Sequence, residues 1–258
     1  MPLQQTSAVV LGVSSYGEAD KIVTFYGRTT GKFSGIAKGA NRSRIRFVNK
    51  LELFSLLELT YEPGRRSSLV RIDQAELSHP FAAIRRDYAR YTTAALAGEL
   101  VSRFSGEDDH DARIFSLLLW VLHAIADCRQ PMVELPPLAI FFETKLLALL
   151  GYCPDLQGCR RCGTLAATAR PFHFSLGQSG LLCASCNRAD HGLIPLSLGT
   201  VRLLARVLEL APDKLSRLRL PAANAREAAH LLKHYSRHLL QREINSRACF
   251  LELLNGHQ

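Results

Sequence analysis

The sequence predicts an α+β multidomain chain: an N-terminal β-barrel of OB-fold type, an all-α helical C-terminal domain, and a four-cysteine zinc knuckle inserted into the helical part. Three observations carry this. Residues 1–79 are rich in β-branched and aromatic residues and are broken by Gly12, Gly17, Gly27, Gly31, Gly35 and Gly39. Beyond His79-Pro80 the apolar period lengthens to that of a helix. Residues 153–192 then interrupt the helical pattern with five of the seven cysteines. The expected domains are 1–79, a helical domain made of 80–152 and 193–258, and the insertion 153–192.

The strands are expected at 7–13, 22–26, 51–61 and 68–77. The last two are separated by Glu62-Pro63-Gly64-Arg65-Arg66, a turn with a basic tip. Four or five short strands with Gly-rich turns suit an OB-fold, and an SH3-like barrel has the same pattern. In the helical part Ile84, Tyr88, Tyr91, Ala95 and Val101 recur at helical spacing, followed by apolar helices over 114–127 and 138–150. Pro136-Pro137 fits the first turn of the latter helix and Gly151 its C-terminal left-handed cap. Further helices are expected over 200–210 and, with a kink near Asn245-Ser246, over 224–254.

Composition narrows the class. The chain has 258 residues, 47% hydrophobic and 21% charged, which fits a folded protein with a real core. Its longest apolar stretch, 114–126, is too short to span a bilayer, which takes about 20 residues. MPLQQTSAVV lacks the basic and apolar regions of a secretory signal, so a cytoplasmic location is expected. The net charge of +9 points to an anionic partner.

Cys159-x2-Cys162 and Cys183-x2-Cys186 stand 20 residues apart. In a reducing compartment this spacing points to a metal rather than to disulfides. Each pair sets two thiolates on one side of a tight turn, and a hairpin made from 172–174 and 181–182 would bring the pairs together. Four equivalent cysteine ligands leave no open coordination position, so the expected zinc is structural. Cys153 reads as a packed thiol at a helix end, and Cys128 and Cys249 as core residues.

From Lys21 to Lys50 the chain carries eight Lys and Arg and no Asp or Glu. Tyr26, Phe33 and Phe47 are interleaved. Basic side chains track phosphates and exposed rings stack bases, which is the recipe for single-strand binding; alternatively Phe33 and Phe47 belong to the barrel core. Gly27-Arg28-Thr29-Thr30-Gly31-Lys32 is one residue short of a P-loop, with Phe33 in place of Ser/Thr. His230, His234 and His238 fit a solvated basic helix face better than a second metal site. No catalytic motif is present, so a non-enzymatic role is expected. The rival readings are a zinc-containing nuclease, which would need carboxylates or histidines near the basic run, and an interaction scaffold.

Gly35-Ile36-Ala37-Lys38-Gly39-Ala40-Asn41-Arg42-Ser43-Arg44-Ile45-Arg46-Phe47, the following Leu51-Glu52-Leu53-Phe54, and Gly151-Tyr152-Cys153-Pro154-Asp155-Leu156 resemble the bacterial RecO family of recombination mediators. The resemblance runs over nearly the whole chain. It implies an N-terminal OB-fold, a helical C-terminal domain and a zinc-binding insertion. It also implies binding of single- and double-stranded DNA, annealing of complementary strands, and help in loading recombinase onto DNA coated by single-strand binding protein. The implied partners are RecR, sometimes RecF, and the acidic C-terminal tail of the coating protein, in a nucleoid-associated setting. By match to the family's basic segment, Lys32, Lys38, Arg42, Arg44 and Arg46 are the implied DNA contacts. Asn41 departs from that segment, where many members carry another basic residue.

Overall fold

The computed structural model describes residues 2–43, 45–64, 69–107, 109–166, 172–187 and 192–256. Arg44, Arg65 and Arg66, named above, and residue 68, the first of the expected strand 68–77, lie outside the described residues. The chain divides into two compact units, Met1–Asp127 and Cys128–Gln258.

In the first unit β1 (Gln4–Tyr16), β2 (Asp20–Gly27), β3 (Gly31–Ala37), β4 (Leu56–Glu62) and β5 (Leu69–His79) close a barrel in the order β1-β2-β3-β5-β4. Strand β1 pairs with β2 along one half and with β4 along the other, and a bulge between Val10 and Gly12 bends it between them. The barrel closes through a parallel β3–β5 seam, with Ser34 opposite Leu69 and Ile36 opposite Arg71. That seam makes the barrel OB-like and removes the SH3-like alternative. The two strands come so close at Gly35 that a Cβ there would lie 2.6 Å from Ile72 Cδ1. Val10, Val23, Phe25, Leu57, Leu59 and Ile72 fill the interior. Strand β4 begins at Leu56, because Phe54 takes a left-handed φ of 70° that ends the extended run expected from residue 51.

Three helices, α1 (Ala82–Arg86), α2 (Tyr88–Phe104) and α3 (Ala112–Asp127), belong to the same unit. Asp87 is extended and separates α1 from α2; its carboxylate accepts from the Arg90 amide at 2.9 Å and caps α2. The helix stripe expected from residue 84 is therefore two helices in different register, and Tyr88 and Tyr91 are exposed rather than core.

The second unit starts with α4 (Pro131–Leu149), which begins seven residues before the expected start at 138. Pro131 takes the first turn, and Pro136 and Pro137 fall inside the helix. Gly151 is left-handed at φ 84°, as its cap position requires. Next come β6 (Asp155–Cys159), β7 (Phe172–Ser175), β8 (Gly180–Cys183) and β9 (Leu193–Leu196), in the sheet order β6-β8-β7-β9. The expected hairpin is β7–β8. Strands β6 and β9 flank it, and Leu156, Phe172, Phe174, Leu181, Leu182, Ile194 and Leu196 are buried in or beside the sheet. The chain then forms α5 (Leu198–Glu209), α6 (Pro212–Leu215), α7 (Ala222–Leu240) and α8 (Arg247–Asn255). The long final helix expected over 224–254 is two helices, because Gln241 caps α7 in the left-handed region at φ 54°. Helices α4, α7 and α8 are locked by a buried cluster. Arg247 donates to both Glu143 oxygens, at 2.6 and 2.5 Å, and the Ser236 hydroxyl donates to Glu143 at 2.6 Å. Among the described residues no helix is long and apolar enough to cross a membrane.

Candidate nucleic-acid interface and thiolate cluster

The basic run is split by the fold into cations that face inward and cations that face water. Lys32 lies on β3, half-buried, and its Nζ donates to the Ser102 carbonyl of α2 at 2.8 Å. That bond holds its ammonium against α2. Past β3 the chain turns through residues 38–43, and this turn is tethered. The Gly39 amide donates to Asp20 Oδ1 at 2.7 Å and the Asn41 amide to the Ala19 carbonyl at 2.9 Å. Lys38, Arg42 and Arg46 are all exposed on this turn and the bend that follows it. Arg42 meets Glu18 at 3.1 Å, in a pair open to solvent. Arg46 donates to the Lys38 carbonyl at 2.7 Å and lies over the Phe47 ring at 4.4 Å, so it also staples the loop. Phe47 and Leu51 sink into the barrel core and anchor the loop's far end. Arg44 lies outside the described residues.

The aromatic half of the single-strand recipe does not survive at these positions. Phe33 stacks on Phe25 at 5.2 Å and meets Tyr61 at 5.6 Å, while Tyr26 and Phe47 are buried. Phe47 lies in the barrel core and Phe33, partly buried, packs against it, so the barrel-core alternative holds for both. Arg28 is not aimed at solvent anions alone, since its guanidinium lies 5.3 Å over the Phe115 ring of α3.

In the second unit β6 ends on Cys159 and β8 on Cys183, each followed by a turn that carries Cys162 or Cys186. The turns are closed by the Gly163 amide on the Cys159 carbonyl at 2.8 Å and the Cys186 amide on the Cys183 carbonyl at 2.9 Å. Arg161 bridges them, donating to the Cys186 carbonyl at 2.7 Å. The four sulfurs lie within 4.8 Å of one another, with Cys162 and Cys183 at 3.7 Å. A metal–sulfur bond of about 2.3 Å gives a tetrahedral edge of about 3.8 Å, so the four sulfurs can hold one ion after a small contraction. The Thr164 hydroxyl and amide hold the Cys162 thiol down at about 6. Hydrogen bonding to the Cys162 and Cys183 sulfurs pushes Cys186 up to about 12. Burial would raise Cys159, but backbone amides of Cys183, Cys162 and Arg161 outweigh it and lower that thiol. Four sulfurs this close, with backbone amides directed at Cys159 and Cys162, form a group that could hold a metal ion.

Among the described residues this is the one group of three or more side chains placed to hold a metal. The His230 and His234 rings lie 4.4 Å apart, tilted by 57°, and no third ligand joins them among the described residues. Cys128 is buried as expected, but Cys153 and Cys249 are exposed, Cys249 because the break at Gln241 resets the register of α8.

Comparison with known proteins agrees with this architecture. The family model described as Recombination protein O N terminal matches residues 1–81, and that described as Recombination protein O C terminal matches residues 85–248. The DNA repair protein RecO of Syntrophus aciditrophicus is 33% identical over 246 residues, covering 94% of this chain and 93% of the relative. That of Desulforudis audaxviator is 34% identical over 248 residues, 96% of each chain. That of Symbiobacterium thermophilum is 32% identical over 257 residues, 99% of each. With both family models matched in order and relatives aligned from end to end, the chain belongs to the RecO family of DNA repair and recombination proteins.

Proposed function

We propose that this protein is a non-enzymatic recombination mediator. It binds single- and double-stranded DNA, anneals complementary single strands and helps load recombinase onto strands coated by single-strand binding protein. The observation that carries the reading is the exposed turn bearing Lys38, Arg42 and Arg46, tethered at Asp20 and anchored by Phe47. Arg44 belongs to the same segment of sequence. Cations held at the surface neutralise phosphates, and two like-charged strands can then approach with their pairing edges free. Lys32 is the weakest of the five implied contacts, because its ammonium is bound to Ser102.

Under this reading residues 1–79 are the nucleic-acid-binding domain. Cys159, Cys162, Cys183 and Cys186 hold a structural zinc that staples the insertion 153–192. The ion supplies cross-linking only, since four thiolates close its coordination shell. RecR, sometimes RecF, and the acidic tail of the coating protein are the partners, met in the cytoplasm at the nucleoid. Arg202, Arg206, Arg217 and Arg219 of the helical domain are the cations offered to that tail, with Arg206 engaged by Glu209 at 2.8 Å.

The test is a strand-annealing assay without nucleotide, with and without single-strand binding protein. Faster annealing of bare and coated strands, without cleavage, is expected. No acceleration, or cutting of the DNA, overturns the reading.

A further inference from the structure

We infer that Tyr88 and Tyr91 form a base-stacking platform for single-stranded DNA on α2, outside the barrel, with Arg86 beside it as a phosphate contact. The inference rests on the DNA-binding reading above and adds a second element to it. Tyr88 is 65% exposed and Tyr91 39%, and they stand on adjacent turns of the face opposite the buried Ala89, Thr93, Leu96 and Leu100. Single exposed apolar residues are ordinary. Two tyrosine rings three residues apart, within a stretch holding Arg85, Arg86 and Arg90 against one acid, are not. That acid, Asp87, is taken up in capping α2. Arg86 is exposed and meets no carboxylate among the described residues.

The platform is continuous with the basic loop. Tyr91 packs edge-on against Phe54, with centroids 5.6 Å apart. Arg85 donates to the Leu53 carbonyl at 2.9 Å and to the Pro80 carbonyl at 2.7 Å. The α1–α2 junction is thus fastened to residues 53–55, the far end of the segment that leaves β3 at Lys38. Rings with a flat face, few rotamers and neighbouring guanidiniums suit unpaired bases strung on phosphates. Tyr26, Phe33 and Phe47, the aromatics interleaved in the basic run, pack inward and leave that stacking to other rings of this unit. A duplex keeps its bases stacked on each other and cannot use these rings, so the platform sets a preference for single strands.

The test titrates the full-length protein against three labelled probes of equal length: oligo(dT), an abasic strand with the same phosphates, and a duplex. Tyr88→Ala carries the clean reading, because Tyr91→Ala also removes packing on Phe54. Tyr88→Ala should lower oligo(dT) affinity about tenfold, the scale of one stacked base. It should leave the abasic strand and the duplex unchanged, and Tyr88→Phe should restore binding. Equal loss on oligo(dT) and abasic strands, or no loss on either, overturns the platform while the basic turn's salt-dependent binding still stands. Unchanged DNA binding with weakened retention on protein-coated strands assigns the face to a protein partner and likewise overturns it. Failure of the unaltered protein to bind any probe removes the DNA-binding reading and the platform together.

Discussion

Replacing Lys38 and Arg42 together by alanine removes two exposed cations from the turn after β3 without touching the barrel core. On single strands each neutralised phosphate adds about 0.7 to the magnitude of the salt slope, so the double variant should flatten it by about 1.4. At about 0.1 M salt the same counterion release amounts to about 0.7 of a decade per contact. Affinity should therefore fall about 25-fold, near 2 kcal/mol. Arg42 must first leave Glu18, but both side chains are open to water and that exchange subtracts little. Lys32→Ala supplies the contrast. Its ammonium is bound to the Ser102 carbonyl, so the substitution should cost about 1 kcal/mol of stability and leave the slope alone. Anisotropy of a labelled oligonucleotide at several salt concentrations reads the first quantity, and urea unfolding reads the second. A slope unchanged in the double variant, or flattened as much by Lys32→Ala, would refute the assignment of the turn as the phosphate surface.

Metal analysis of freshly purified protein should return about one zinc per chain, and Cys159→Ser or Cys186→Ser should lose it and loosen the β6–β9 sheet; a metal-free preparation with an intact sheet would contradict this. Glu143→Ala leaves the buried Arg247 guanidinium without its carboxylate and should destabilise the second unit by about 3–5 kcal/mol in urea, whereas an exposed pair such as Arg237 with Glu243 should be nearly silent. Burial raises Glu227, but hydrogen bonds from the Thr200 hydroxyl and the Ser197 amide outweigh it and hold its carboxyl below the usual range. Its contribution is therefore complete above the unfolded value of about 4.3 and is lost as pH falls through the lower folded value. Glu227→Gln should make acid unfolding less steep, as followed by circular dichroism.

What the sequence could reveal was whatever has a local signature. The two CxxC turns, the β7–β8 hairpin between them, the apolar helices and the left-handed Gly151 all announce themselves within a few residues. Strand β3 does not, because Gly31, Lys32, Ser34 and Gly35 blur its alternation and its closing partner β5 is parallel and distant. Strands β6 and β9 are four or five residues long and join the hairpin only across the fold. The tyrosines misled for a different reason. A single extended residue, Asp87, resets the helical phase, and periodicity counted across it assigns Tyr88 and Tyr91 to the wrong face. The same effect at Gln241 turned Cys249 outward. Charge was legible as a total and not as a direction: Lys32 and Lys38 look alike in sequence, yet one points at a helix carbonyl and the other at water.

The basic turn also constrains how such a surface can read DNA. Its exposed groups include the long cations Lys38, Arg42 and Arg46, and its tethers run to backbone atoms, to Asp20 and to the barrel core. Phosphate contacts fix position and register but carry no sequence information. Ile45, 85% exposed between Arg42 and Arg46, adds an apolar surface with no hydrogen-bonding group. Under the proposed function, a surface of this kind would hold any strand through its phosphates and leave the pairing edges free. That property suits annealing, where the incoming complementary strand and not the protein must supply the specificity.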